Sequence, residues 1–480
     1  MRRTDIFVIL LVLCTGASDA LARRPRQGAR GLSTRALQRG LRKAYARPVA
    51  RMGTFAVYVK VAGGRVLFAR RGRSRLHPAS CIKLVTAAAA LRRLGKGYRF
   101  DTVVRGRIQG TRMTTPVYLW GQGDPSLTRA DLTRFAKQVR AKGVQKIPTG
   151  VVVDDSFFDA RRWPPGFRKP SSSAYMTPVG AVSLDGNTVE VVITPGQVGA
   201  RAKVQLLPAS DYLLKKNGVK TGARTRIHAY AARHNKRLRV FLSGTIKAGA
   251  TVVRKWVRVL DPARYAGASF KRALEAEGIV VGPVKRGLAS KAPVLIRHRS
   301  KPLSYLVGHM NRTSNNFYAE QLLKALGAKA FGRPGTTRKG VKATRGLMKR
   351  SGIPSRQYRM ANGSGLLGRT RIAPKALVRL LERVRTLGWL YKALRDSLPV
   401  AGRTGTLARR FAGTLAAGRV RAKTGTVSKV SCLAGYVDRR SGKPPIIFAI
   451  MHNGFTTSHA VARRVQDRMV ILLARYGLTR

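Results

Sequence analysis

Apolar and polar residues alternate through FAVYVKVAGGRVLFA, which predicts a β-hairpin over Thr54–Ala69 turning at Gly63-Gly64. The period then changes. SCIKLVTAAAALRRLG, rich in Ala and closed by Gly95, predicts a helix that begins near Ser80. Across residues 101–297 the apolar positions fall into short alternating segments such as VVRGRI, TPVYLW and VEVVIT. Gly and Pro punctuate them, so mostly β structure is expected there. Helical spacing returns after residue 298, in SYLVGHMNRTSNNFYAEQLLKALG and APKALVRLLERVRTLGWLYKAL. The chain closes with the strand-like segments VRAKTGTVSKVSCLAGYVD and PIIFAIMHNG and a helix near the C-terminus.

At 480 residues with 44% apolar side chains, the chain is large enough for two or three packed domains. Arg2 and Arg3, an apolar stretch from Ile6 to Leu13 and the small-residue pattern Ala20-Leu21-Ala22 read as a secretory signal over residues 1–22. The apolar run is too short to span a bilayer, and bulky Leu13 before Cys14 argues against lipid attachment. The product is expected in the periplasm or cell envelope. Residues 23–51 form a basic leader with helical spacing at Leu32, Leu37 and Leu41. It reads as a surface helix packed by its Leu face, with an anion-binding arm as the alternative. Net charge is +76, and the basic residues are scattered over the whole length. Such a surface suits anionic envelope polymers, lipid headgroups or lipopolysaccharide, and no nucleic-acid motif accompanies it. Cys81 and Cys432, the only cysteines after the leader, make no disulfide scaffold; they are either one bond or two buried thiols. The seven His residues show no zinc-ligand spacing, and no metal or cofactor is expected.

Three short motifs occur in order: Ser80-x-x-Lys83, Ser314-x-Asn316 and Lys423-Thr424-Gly425. Together they are the set found in penicillin-binding proteins and serine β-lactamases. Lys220-Thr221-Gly222 and Arg403-Thr404-Gly405-Thr406 are near-matches, but order and context select the copy at Lys423. A serine hydroxyl is a weak nucleophile until a base takes its proton, and residues i and i+3 of a helix share a face. Lys83, flanked by Leu84, Val85 and an alanine run, is placed where desolvation lowers its pKa. Ser314 is a candidate proton relay to the leaving amine, and Asn316 a candidate holder of the substrate amide and the lysine. Lys423-Thr424-Gly425-Thr426 fits an edge strand for an extended peptide, with Gly425 leaving room for the substrate backbone. Lys423, Thr424 and Thr426 would bind a C-terminal carboxylate, and the N–H groups of Ser80 and Thr426 would form an oxyanion hole.

Beyond these motifs the chain resembles the D-alanyl-D-alanine carboxypeptidase/endopeptidase family, the class C low-molecular-mass penicillin-binding proteins. The likeness includes His77-Pro78-Ala79, Gly121-Gln122-Gly123-Asp124-Pro125 with Leu127, Asp154-Asp155-Ser156-Phe157 and Tyr175-x-x-Pro178-Val179. It continues through Asn187-Thr188-Val189, Gly363-Ser364-Gly365-Leu366, Leu398-Pro399-Val400-Ala401-Gly402 with Gly405-Thr406-Leu407, and Gly435-Tyr436-Val437. The resemblance implies an α/β fold: a transpeptidase/β-lactamase-like domain, with an antiparallel sheet flanked by helices and a helical subdomain. Residues 23–100 and 298–480 would form it, with inserted domains over 101–297 and a second insert nested roughly at 184–257. It also implies peptidoglycan stem peptides as substrate, β-lactams as covalent inhibitors, and Asp154 as an acidic contact for the amine of the diamino acid. The family's Asp-Gly-Ser-Gly-Leu-Ser-Arg stretch is altered here, with Asn362 first, Leu367 for Ser and Gly368 for Arg. Rival readings are a β-lactamase or penicillin esterase on the same fold, and an inactive cationic envelope-binding protein.

Overall fold

The alternation at Thr54–Val61 and Val66–Arg70 forms a hairpin (β1 and β2), and three C-terminal strands complete its sheet: β3 Val420–Val427, β4 Val430–Val437 and β5 Ile446–Asn453. In this computed structural model, which describes residues 31–46, 52–167, 174–440 and 442–478, the strand order is β2-β1-β5-β4-β3, antiparallel throughout. The proposed signal segment and Cys14 lie outside the described residues, and no described helix is long and apolar enough to cross a membrane.

Central strands that bury both faces read as continuous apolar runs, as β4 and β5 do. Six helices position the site: α1 Thr34–Tyr45, α2 Lys83–Leu94, α3 Leu303–Arg312, α4 Asn316–Phe331, α5 Pro374–Arg385 and α6 His459–Tyr476. Leu433, Phe448 and Ile450 face Leu37, Leu41, Met469 and Leu473 of α1 and α6. Thus the leader's Leu face packs as a surface helix, capped by Ser33. On the other sheet face Cys432, Ala434, Tyr436 and Ile447 meet Leu84 and Ala88 of α2 and Leu377 and Leu381 of α5. Every residue of α2 from Lys83 to Leu91 is buried, which is why its sequence lacks a polar stripe. Gly95, at φ 88°, ends it.

The segment between α2 and α3 is mostly β, as expected, and adds two helices that the alternating pattern did not show. Its five-stranded sheet (order 284–286, 151–154, 117–121, 101–105, 294–299) is accompanied by helices Arg129–Ala141 and Pro262–Ala276. Both helices had start signals in the sequence, a Thr128/Asp131 capping box and Asp261 before Pro262. Nested within lie two three-stranded sheets, 203–207/188–194/253–258 and 213–222/237–247/226–234. One continuous apolar core joins these sheets. Lys220-Thr221-Gly222 belongs to the nested unit, where the Thr221 hydroxyl accepts the Gly196 N–H at 2.9 Å.

This insert is anchored on α4. Lys324 Nζ lies 2.6 Å from Asp159 Oδ1 and donates to Arg161 O at 2.8 Å, and Gln321 Nε2 donates to Gly180 O at 2.9 Å. Breaking a buried pair of this kind leaves an unpartnered charge, so the anchor is firm. It brings the chain around Tyr175 to the start of α4.

Candidate active site

Ser80 sits on a short 3-10 turn, Ala79–Ile82, that runs directly into α2 at Lys83. Ala79 takes φ 44°, a left-handed conformation costly for a residue with a Cβ. Its N–H is satisfied by His77 Nδ1 at 3.1 Å, and burial, with the charge of Arg371, lowers the His77 pKa to about 4. The imidazole is therefore a neutral acceptor that holds the turn.

The three motifs converge. Lys83 Nζ lies 2.7 Å from Ser80 Oγ, 2.7 Å from Asn316 Oδ1 and 3.1 Å from Ser364 O. The Asn316 amide is oriented by its other end, because Nδ2 donates to Tyr175 O at 3.1 Å. Asn316 Oδ1 and Ser364 O can only accept, so they take two amine protons and leave the third direction of Lys83 Nζ for the Ser80 hydroxyl. A neutral amine would point its lone pair there. Burial pushes the Lys83 pKa well below the ordinary lysine range, and the charge of Lys423 adds to the shift.

Lys423 Nζ donates to Ser314 Oγ at 2.8 Å and to Thr424 O at 2.8 Å, and burial lowers its pKa to about 8. Ser314 takes φ 58° on the link between α3 and α4, while the neighbouring Asn315 caps α4. The helix-cap role that Ser-Asn-Asn suggests thus falls to Asn315, which frees Ser314 to face Lys423.

Along β3 the outer edge is available near the motif. Ala422 N donates outward to Pro399 O at 3.1 Å, so with the strand's period of two the N–H groups of Thr424 and Thr426 point the same way. Thr424 Oγ1 lies 2.8 Å from Thr406 Oγ1. The near-match Arg403-Thr404-Gly405-Thr406 is therefore a wall of the site, a role the linear pattern did not reveal. Gly425 serves a different purpose from the one expected. A Cβ there would lie 2.6 Å from Pro78 O and 3.2 Å from Cys81 N, so its missing side chain lets β3 close on the turn carrying Ser80.

Glu320 was not legible in any motif, though it lies one helical turn beyond Asn316. Its buried carboxylate accepts the N–H groups of Gly363 at 3.0 Å and Ser364 at 2.8 Å, fixing the loop whose carbonyl meets Lys83. The altered stretch at Asn362 has a physical reason. Asn362 Nδ2 donates to Pro165 O at 2.9 Å and Leu366 O at 3.1 Å, which an aspartate cannot do. Gly368, at φ 81°, lies where the chain approaches Gly166.

Asp154 is not brought to this constellation as a free acid. It is buried, and its two oxygens accept Ser156 N at 2.9 Å and Ala289 N at 2.8 Å. In this structure the carboxylate caps turns. Cys81 and Cys432 are free buried thiols, donating to Lys423 O and His77 O at 3.2 and 3.5 Å. Burial raises the Cys81 pKa to about 12, so it does not compete with Ser80 as a nucleophile.

The chain is similar to several known proteins. A D-alanyl-D-alanine carboxypeptidase of Actinomadura sp. (strain R39) is 34% identical over 451 residues, covering 88% of this chain and 81% of that protein. A D-alanyl-D-alanine carboxypeptidase DacB of Haemophilus influenzae is 26% identical over 80% of this chain and 82% of its own length. The crystal structure of penicillin binding protein 4 (dacB) from Haemophilus influenzae superposes with a TM-score of 0.75, covering 92% of this chain and 98% of that one at 23% identity, which bears on the fold. The sequence model of one peptidase family matches residues 37–476, and with that span covered the chain belongs to the D-Ala-D-Ala carboxypeptidase 3 (S13) family.

Proposed function

We propose that this protein is a serine D-Ala-D-Ala carboxypeptidase/endopeptidase that cleaves peptidoglycan stem peptides through an acyl-enzyme on Ser80. The observation that carries it is the placement of Lys83 Nζ, 2.7 Å from Ser80 Oγ with its other two directions taken by acceptors. Neutral Lys83 takes the hydroxyl proton as Ser80 Oγ bonds to the scissile carbonyl carbon. The N–H groups of Ser80 and Thr426 stabilise the oxyanion, and Lys423 with Thr424 and Thr426 holds the terminal carboxylate. As the C–N bond breaks, the proton that Lys83 took from Ser80 is relayed through the Ser314 hydroxyl to the leaving amine, which returns Lys83 to its neutral form, and the positive charge of Lys423 keeps the Ser314 hydroxyl oriented. Water then attacks the ester and restores Ser80. β-Lactams would acylate the same hydroxyl. Export to the envelope, with electrostatic contact to its anionic polymers, follows from the leader and the charge of +76.

Digestion of purified peptidoglycan, read by mass spectrometry, tests the function. Release of D-Ala from pentapeptide ends or opening of cross-links is expected. Rapid, repeated hydrolysis of penicillin with peptidoglycan untouched would instead favour a β-lactamase.

Two predictions arise from the site itself. Acylation by a fluorescent penicillin should fall on the alkaline side near pH 8. Lys423 has its pKa lowered to about 8, so its charge is present below that pH and lost above it. A rate still rising well beyond pH 9 would contradict the role of Lys423. Gly425→Ala places a Cβ 2.6 Å from Pro78 O, a backbone atom that cannot swing aside. Displacing β3 from the Ser80 turn should lower acylation by about 100-fold, the usual result of a shift near 1 Å in a preorganised site. Stopped-flow acylation of a variant shown to be folded by circular dichroism measures this, and unchanged rates would contradict it.

A further inference from the structure

We infer that the outer face of the nested three-stranded sheet, strands 213–222, 237–247 and 226–234, is a docking surface for a linear phosphodiester polymer of the cell wall. The assignment rests on the cationic-envelope reading above and gives it a location. Alternation fixes which side chains point outward. Leu238, Val240, Leu242 and Ile246 are buried in the core, as are Val219 and Ile227 on the flanking strands. Residues of opposite parity therefore form the free face.

That face carries Lys216 and Lys220 on one strand, Arg237, Arg239 and Lys247 on the middle one and Arg226 on the third. From Tyr212 to Leu260 the sequence contains no Asp or Glu. None of the six cations has an ion pair among the described residues, whereas most carboxylates elsewhere in the insert are paired. Six exposed or half-exposed like charges gathered without a carboxylate repel one another, and a polyanion removes that repulsion.

The layout selects an extended occupant. Arg237 lies at one end of an 11-residue strand and Lys247 at the other, roughly 33 Å away at the usual strand rise. A single small anion cannot meet charges so far apart, but a chain with regularly repeated phosphodiesters can. The aromatic residues separate a wall polymer from single-stranded nucleic acid. Tyr230 and Phe241 face each other across the strands, with ring centroids 4.7 Å apart and planes within 6°. Each ring spends a face on the other, which leaves a poor platform for a run of bases that need free ring faces. Tyr230, 51% exposed, still offers apolar surface to the backbone of a polyol or sugar.

The test uses the folded protein and poly(glycerol phosphate) as the probe, with affinity measured at several salt concentrations. Lys216→Gln, Lys220→Gln, Arg226→Gln and Arg237→Gln combined should lower affinity at least about 10-fold at low salt and flatten its salt dependence, since four fewer counterion-releasing contacts are made. A control variant removes the same charge from α1, at Arg35, Arg39, Arg42 and Lys43, and should bind within about 3-fold of wild type. Both variants should hydrolyse a soluble D-Ala-D-Ala peptide at the wild-type rate, which keeps this outcome separate from the peptidase reading. Equal losses in the two variants would overturn the sheet face as the site while leaving a general cationic attraction. No binding by the wild type would overturn both. Tighter binding of single-stranded DNA through the same four side chains would overturn the choice of occupant.

Discussion

Ser80→Ala is expected to abolish both peptide hydrolysis and the penicillin adduct, lowering the rate by about 10,000-fold or more, as removal of a covalent nucleophile does. The fold should survive. Ser80 is half-buried, and among the described residues its hydroxyl is held by Lys83 alone. The variant's Lys83 keeps Asn316 Oδ1 and Ser364 O, so the buried amine is not stranded. A melting curve within a few degrees of wild type is expected, beside a flat progress curve with the soluble peptide. Measurable turnover above the level of a mock preparation would mean that another group carries the acyl transfer.

Lys83 carries the second large effect. Lys83→Gln removes the base, and Lys83→Arg retains a positive charge that is not given up at any working pH. If the lysine acted only through its charge, arginine would restore part of the activity. If it acts as the neutral base that its acceptor-filled surroundings indicate, both variants should lose acylation by about 1,000-fold or more, within the combined scale of base and nucleophile activation. Lys83 is wholly buried between α4 and the Gly363–Ser364 loop, so each variant's folding must be checked by its melting curve. A second readout comes from pH. In the wild type burial pushes the Lys83 pKa well below the ordinary lysine range, and loss of its proton, as the base mechanism requires, gives the profile its acid limb. Residual activity in the glutamine variant should therefore lose the acid limb. An arginine variant within 10-fold of wild type would contradict the base assignment.

Much of this site could be read from the chain because its parts are local. Ser80 and Lys83 lie within one turn, and Ser314 and Asn316 within one helix start. Continuous apolar runs at β4 and β5 gave the core strands because burial on both faces removes polar positions. What stayed hidden depends on partners distant in sequence. Glu320 acts on Gly363 and Ser364, some 40 residues on, and Tyr175 reaches Asn316 only through its backbone carbonyl, which carries no residue signature. Thr406 resembles a failed copy of the Lys423 motif in the linear sequence, and only the fold sets its turn beside Thr424 of β3. The turn-capping bonds of Asp154 were equally hidden, since a turn-capping carboxylate and a ligand-binding one have the same letter. Helices 129–141 and 262–276 were masked by the Gly- and Pro-punctuated strands around them, although each had a cap in its sequence.

The most direct measurement is peptide mapping after brief exposure to penicillin G. Trypsin cuts after Arg75 and Lys83, so the peptide Leu76–Lys83 contains Ser80 as its one serine. An adduct of one penicilloyl group on that peptide, fragmenting at Ser80, is the expected result. An intact protein that takes up no penicilloyl group, or takes it up on a different peptide, contradicts the account.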